Sequence, residues 1–434
     1  MNKIRNIMKH ATVKNSLWII AERIAQMVIS FLLTMVTARY LGPSNYGILN
    51  YGASFVTFFL AIVKLGLDSV IVKNLIENPN KEGALLGTSI ACRLISSFVS
   101  IFLIFICVFI LKPGNKIILI TTMLQSIVLI FQAGAFLDFW YQSKLKSKYV
   151  SIAKIVGYIL ASLYKVVLLI CNASVEWFAL SNVLDYFLIC VFLFIFYKKN
   201  HGPKLSIDWN VGKSLLKESY HFIISSVMVI MYTQTDKIMI GSMLNEASVG
   251  IYAAAVSLHS AFGFLPEAII TSAKPTLFSS YKNNKEHYFI RLKQTFALVF
   301  WICVLFSLGI TMFSDLIINI IFGKDYFAAK LPLMLLVWAV PFSNLGNIRG
   351  IWIVSEKKQK YVKKYLIFSI LLNCTLNFIL IRKIGIAGAA IATLITEIFS
   401  GLIAPLLYKD TREITKIAIN GIFFNFYKRR TNDI

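Results

Sequence analysis

The sequence predicts an all-α polytopic membrane protein of about twelve transmembrane helices arranged as two parallel six-helix lobes. Three observations carry that prediction. The 434 residues are 58% hydrophobic and only 15% charged, where a soluble domain holds about 25% charged residues. Apolar runs recur along the whole chain, each near the ~20 residues that cross a bilayer as a helix. The basic residues between those runs fall almost entirely on alternate connections. Lipid offers no partner to backbone amides, so these runs are read as helices.

The predicted spans are 15–38, 47–67, 84–111, 115–138, 149–171, 175–197, 216–242, 247–272, 293–321, 331–354, 362–381 and 385–407. The first two flank a tight polar turn, ARYLGPSNYG, and form a hairpin over 15–67. The basic N-terminus, MNKIRNIMKHATVK, precedes an apolar run too long for a signal-peptide core, so the first span is read as retained. The longest connection on the basic side, Lys198 to Leu215, carries two glycines, a proline and several lysines. It divides the chain into a first lobe (1–200), a linker (201–215), a second lobe (216–407) and a basic tail (408–434). Within the tail, the apolar spacing of Ile414, Ile417, Ala418, Ile422 and Phe426 fits a helix lying on the inner membrane surface, and the alternative reading is an unstructured basic tail.

Thirty of the 44 lysines and arginines lie on one set of connections, from Lys3, Arg5, Lys9 and Lys14 to Lys409, Arg412, Lys416, Lys428, Arg429 and Arg430. The positive-inside rule therefore puts both termini in the cytoplasm. Topology and anionic headgroups account for the net charge of +24, and no nucleic-acid partner is needed. The opposite connections, such as NAS before Val175 and NEAS before Val249, are too short for an outer catalytic domain. The six cysteines sit singly inside apolar segments and the five histidines are scattered, so no metal site is read. There is no G-x-x-x-x-G-K-[ST] nucleotide motif and no cofactor signature.

A shift of 203 residues lays the head of one half on the head of the other: Leu41 on Leu244, Gly47 on Gly250, Ile48 on Ile251, Ser54 on Ser257 and Phe59 on Phe262. Six spans per half keep the repeats in one orientation, a transporter arrangement.

Function should reside in the charges inside the spans, since one at mid-bilayer costs ~2.5–3.5 kcal/mol even on the lenient insertion scale. Glu22 with Arg23, and Asp236 with Lys237, are acid–base neighbours in the first helix of each half. Neighbours diverge by about 100° around a helix, which frees one of each pair to face a wet cavity. Arg93 and Arg349 are isolated within spans. Their guanidinium forks suit a phosphate or a salt bridge to an acid on another helix. Asp185 and Glu397 are read either as functional acids or as structural partners for Lys165 or a buried arginine.

The stretches ARYLGPSNYGILNYGAS, LDFWYQSKLKSKY, TDKIMIGSMLNEASVGIYAAA, VSEKKQKY and NFILIRKIGIAGAAIATLITE occur in the order seen in one family. Across nearly its whole length the chain resembles the polysaccharide (O-antigen and repeat-unit) flippases of the multidrug/oligosaccharidyl-lipid/polysaccharide exporter superfamily. It departs at Arg382, where related sequences often carry a proline. The resemblance implies two lobes around a central cationic cavity, moving undecaprenyl-diphosphate-linked oligosaccharide to the outer leaflet of the bacterial cytoplasmic membrane by alternating access. By that analogy Arg23, Arg93, Lys237 and Arg349 contact diphosphate or sugar acid, and Glu22 and Asp236 couple an ion gradient. The implied partners are the lipid-linked oligosaccharide, membrane lipids, a polysaccharide polymerase and a chain-length regulator. The rival readings are a multidrug or cation antiporter of the same superfamily and a membrane-embedded polymerase. The embedded bases favour an anionic cargo over a cationic drug, and the short outer loops disfavour the polymerase.

Overall fold

The computed structural model describes residues 2–425, with side chains described from Ala25 onward and at Trp18 and Glu22. The chain is helical nearly throughout. The helices are α1 (Asn2–Val63), α2 (Ile71–Glu77), α3 (Glu82–Leu111), α4 (Lys116–Ser126), α5 (Val128–Gly134), α6 (Asp138–Ser143), α7 (Ser147–Ile170) and α8 (Val175–Lys199). They continue with α9 (Trp209–Met243), α10 (Glu246–Asn283), α11 (Lys285–Met312), α12 (Ser314–Ile321), α13 (Lys330–Ser355), α14 (Lys360–Ile384), α15 (Ile386–Ile398) and α16 (Arg412–Ile422).

Among the described residues, ten helical stretches are long and apolar enough to span a bilayer. Two details reconcile that number with twelve predicted spans. The first two predicted spans both lie in α1, which breaks at Gly42 (φ 66°) ahead of Pro43. Glycine reaches that left-handed conformation without penalty, and the proline then starts the next helix with its φ already set. The seventh predicted span is α9, a 35-residue helix whose Lys213, Lys217, Glu218, Asp236 and Lys237 dilute its apolar character.

The chain divides into two compact units, Met1–Gly250 and Ile251–Ile434. Within the first unit the distribution of side chains on α3 is inverted relative to a soluble helix. Phe98, Phe102, Phe109 and Ile110 are 58–68% exposed, whereas Thr88, Ser89, Arg93, Ser97 and Ser100 are at most 4% exposed. Small polar residues let helices approach closely and find backbone acceptors, while large apolar ones face lipid. Ser97 illustrates this: its hydroxyl lies 2.8 Å from the Arg93 carbonyl and 2.9 Å from the Leu129 carbonyl. An apolar cluster including Leu67, Leu86, Phe136, Trp140, Tyr141 and Tyr197 completes this core.

The connection read as a linker is laid against α3. Gly83 and Gly87 leave room for the carbonyls of Lys204 and Ser206, which a side chain at either glycine would strike. Thr88 Oγ1 accepts from the Asp208 amide at 2.9 Å and donates to the Asp208 carbonyl at 3.3 Å. Buried Glu82 accepts from Trp140 Nε1 (2.8 Å) and Lys144 Nζ (2.5 Å) beside it.

In the second unit, α13 packs on α11 and α15, and α14 packs on α15. Its core gathers Phe296, Ile348, Trp352, Tyr365 and the buried face of α16. The tail helix thus covers 412–422, shorter than the spacing suggested, and its apolar residues Ile414, Ile417, Ala418 and Ile422 are buried against α11. Gly421 permits this approach to the Lys293 backbone, and Trp301 Nε1 donates to the Ile422 carbonyl at 2.9 Å. Phe426 and the basic Lys428, Arg429 and Arg430 lie outside the described residues.

Thr88→Val keeps the shape and removes both bonds to Asp208. The expected outcome is a folded protein with a lower unfolding midpoint in detergent, the loss being about 1–3 kcal/mol for buried groups left without partners. An unchanged midpoint would mean the 203–208 segment is not held through Thr88.

Candidate functional site

The embedded charges occupy separate clusters rather than one site. In the first cluster α1, α6 and α7 converge. Lys154 Nζ lies 2.8 Å from Asp138 Oδ2 and 3.9 Å from Glu22 Oε1. Gln142 Nε2 donates to the other Asp138 oxygen at 3.0 Å. Glu22 is 6% exposed, and the partly exposed lysine lies between two carboxylates. Glu22 thus has a partner on α7, 132 positions away in the sequence. The side chain of Arg23 lies outside the described residues.

The second cluster centres on Arg93, which is buried. Its guanidinium pairs with Asp68, donates to the Lys64 carbonyl at 3.2 Å and covers the Phe136 ring at 4.2 Å. Asp68 in turn receives Lys64 at 3.7 Å. Nε of Arg93 has no hydrogen-bond partner. The salt-bridge option weighed for this arginine is therefore the arrangement adopted in this conformation.

Asp236 and Lys237 lie on α9, which packs on α1 and α3. Asp236 is 8% exposed and Lys237 half-buried, and the two remain electrostatic neighbours. Arg349 belongs to the second unit and is also buried. Its guanidinium donates to the Ser400 carbonyl and covers the Tyr365 ring at 4.9 Å, with Glu397 in electrostatic reach. The backbone explains why that carbonyl needs a donor. Phe399–Ile403 is a turn of π-helix, and the Ala404 amide is committed to Phe399. The next residue, Pro405, has no N–H to offer. Arg349 supplies the missing donor.

One feature of the first unit is not read from the sequence, which names only Lys165 and its neighbour Asp185 there. A cavity of about 140 Å³ lies among α1, α4, α7 and α8, lined by Ser30, Thr34, Thr37, Gln125, Lys165 and Asn182 with several apolar and aromatic neighbours. Apart from Lys165 its polar lining is uncharged, and the charge-based search passed over it. The available signal was the spacing of Ser30, Thr34 and Thr37, which align hydroxyls along one face of an apolar helix.

Near this cavity residues of α1, α9, α10 and the C-terminal end of α3 meet. Lys112 Nζ pairs with Glu246 at 2.8 Å, and the Tyr51 hydroxyl lies 3.1 Å from Ser242 Oγ. Gly47 and Gly250, equivalent under the 203-residue shift, face each other. A Cβ on Gly47 would strike the Glu246 carbonyl, and one on Gly250 would strike that of Pro43. Among the described residues no cluster of three histidine, cysteine, aspartate or glutamate side chains is suited to a metal.

Exposed phenylalanines, helices of bilayer-spanning length and charges buried within them define a multi-pass membrane protein. The fold is that of the lipid II flippase MurJ in its inward closed conformation, with a TM-score of 0.68 at 17% identity, over 97% of this chain and 94% of that one. An inward-facing multidrug resistance MATE family transporter of the MOP superfamily matches with a TM-score of 0.65 at 12% identity, over 90% of this chain and 95% of that one. A family model described as polysaccharide biosynthesis protein matches residues 36–330, more than half of the chain. The chain belongs to that family.

Two relatives span most of its length. The capsular polysaccharide biosynthesis protein CapF of Staphylococcus aureus is 25% identical over 89% of this chain and 96% of its own. The putative O-antigen transporter of Escherichia coli K12 is 22% identical over 85% of this chain and 90% of its own. A probable low-salt glycan biosynthesis flippase, Agl15 of Haloferax volcanii, is 26% identical over 42% of this chain and 39% of its own.

Asp68→Leu removes the carboxylate paired with Arg93. It is expected to destabilise the protein by about 3–5 kcal/mol, because a buried charge is left alone. Replacing both partners, Arg93→Met with Asp68→Leu, is expected to recover most of that loss in the same thermal-unfolding assay. A double variant as unstable as the single would show that Arg93 is not held chiefly by Asp68.

Proposed function

We propose that the chain translocates undecaprenyl-diphosphate-linked oligosaccharide repeat units from the cytoplasmic to the outer leaflet by alternating access. The observation that carries this reading is the presence of cations where lipid-facing helices have no ordinary use for them. Arg93 and Arg349 are buried, and Lys165 and Lys237 are half-buried, all within spans. A cation taken out of water costs several kcal/mol unless paired. Keeping four in a fold of this kind suits a cargo that brings negative charge. Arg93 and Arg349 each retain an Nε without a hydrogen-bond partner, leaving a donor for diphosphate or sugar acid once their present partners move apart.

On this reading Arg23, Arg93, Lys237 and Arg349 serve the anionic cargo, while Glu22 and Asp236 couple an ion gradient. The membrane is the bacterial cytoplasmic membrane, with both termini in the cytoplasm. The two functional lobes are 1–200 and 216–407, joined by 201–215. A polysaccharide polymerase and a chain-length regulator act on the delivered units. The names of the relatives support a polysaccharide cargo, and the fold shared with a lipid II flippase supports a lipid-linked one.

The test is deletion of the gene in its host, followed by the location of lipid-linked repeat units and an assay of surface glycan. Inner-leaflet accumulation with loss of surface polymer is expected. Rescue by Lys237→Ala and Arg349→Ala should fall at least tenfold below wild type, equivalent to about 1.4 kcal/mol. Unchanged surface glycan with new drug sensitivity would instead establish the antiporter. Single repeat units that reach the surface but never polymerise would establish a polymerase.

A further inference from the structure

The cavity among α1, α4, α7 and α8 carries more hydrogen-bonding capacity than the protein itself satisfies. Thr37 Oγ1 and Gln125 Oε1 have no hydrogen-bond partner, and their residues are only 8% and 5% exposed. The opposite end of Gln125 is fixed, its Nε2 donating to the Leu49 carbonyl at 3.1 Å. Its unused oxygen is therefore held rather than free to turn away. Gly52 makes the room, since a Cβ there would lie 2.6 Å from that oxygen.

Lys165 lines the same space. Its electrostatic neighbour is Asp185, one turn beyond Ser181 and Asn182 on α8, but the two form no direct ion pair. Asp185 Oδ1 also lacks a hydrogen-bond partner. The lysine therefore has donors left for an acceptor in the cavity, with a compensating carboxylate behind it. Tyr46, Tyr158 and Phe178 add aromatic surface to the wall. Hydroxyl and amide groups, aromatic faces and one ammonium are the groups that recognise a sugar ring carrying a carboxylate. The volume, about 140 Å³, compares with the ~10–15 Å³ that one water needs. It suits a single ring rather than an extended chain. Lys165 lies 18 residues along α7 from Ser147, about 27 Å at ~1.5 Å per residue. On the inside-positive orientation that is the outer half of the bilayer.

We propose that this cavity is a subsite for one acidic sugar residue of the cargo, with Lys165 holding the carboxylate and Thr37 and Gln125 holding ring hydroxyls. The proposal rests on the flippase reading for its cargo but is tested separately from it. Purified full-length protein in nanodiscs is titrated with glucuronate and with glucose, for wild type, Lys165→Met and Thr37→Val. Glucuronate is expected to bind about tenfold more tightly than glucose, the usual advantage of a charge-assisted hydrogen bond over its neutral counterpart. Lys165→Met should erase that preference, and Thr37→Val should weaken both sugars.

Equal binding of the two sugars by wild type overturns the proposal, as does a preference that survives Lys165→Met. Should Lys165→Met not fold, unchanged affinities in Thr37→Val overturn it instead. If neither sugar binds while gene deletion still abolishes surface glycan, the subsite is refuted and the flippase reading stands. If glucuronate binds through Lys165 but deletion leaves surface glycan intact, the flippase reading is refuted and the sugar-acid site stands.

Discussion

The structure depends on one constraint: a charge removed from water inside a membrane must be met by the protein. Arg93 is met by Asp68 and the Lys64 carbonyl. Lys154 is met by Asp138 and Glu22, and Lys112 by Glu246. Arg349 is met by the carbonyl that a π-turn and a proline leave without a backbone donor. Desolvating either ion of such a pair costs several kcal/mol, and their attraction offsets this only when geometry is good. The phenylalanine-bearing, lipid-facing side of α3 and its serine-rich interior follow from the same constraint, applied to a helix whose outside is oil.

Close backbone approach is the second organising feature, and glycine provides it. Gly47 and Gly250 allow the turn after the first helical segment and the first turn of α10 to touch main chain to main chain. Gly83 and Gly87 do the same for the segment laid along α3. At these four positions the absence of a Cβ matters more than backbone freedom, because their φ angles are ordinary. Gly42, by contrast, is needed for its positive φ.

The fold was largely legible in the sequence because its signals are additive. Span length, hydropathy and the alternation of lysines accumulate over twenty residues at a time, so local ambiguity averages out. The break at Gly42–Pro43 was readable for the same reason, as a turn signal between two long apolar runs. The candidate site was less legible because it depends on pair geometry between distant helices. Glu22 finds Lys154, which is 132 positions away, while Arg23 sits beside it in sequence. Asp68, 25 positions before Arg93 in the sequence, is its partner in space. The apolar spacing of α16 was readable, but not the surface that buries it. The cavity was invisible to a search for charge because most of its polar lining is neutral.

The pairing of Glu22 with Lys154 also bears on how the chain enters the membrane. Helices are made from the N-terminus onward, so α1 reaches the bilayer before α6 and α7 exist. Its glutamate must then be accommodated without Lys154, at a moment when an isolated mid-helix charge carries an insertion penalty of ~2.5–3.5 kcal/mol. The contact of Glu22 with Lys154 is thereby tied to synthesis of α7. The ion pair present in the finished protein therefore forms only after α7 has been made.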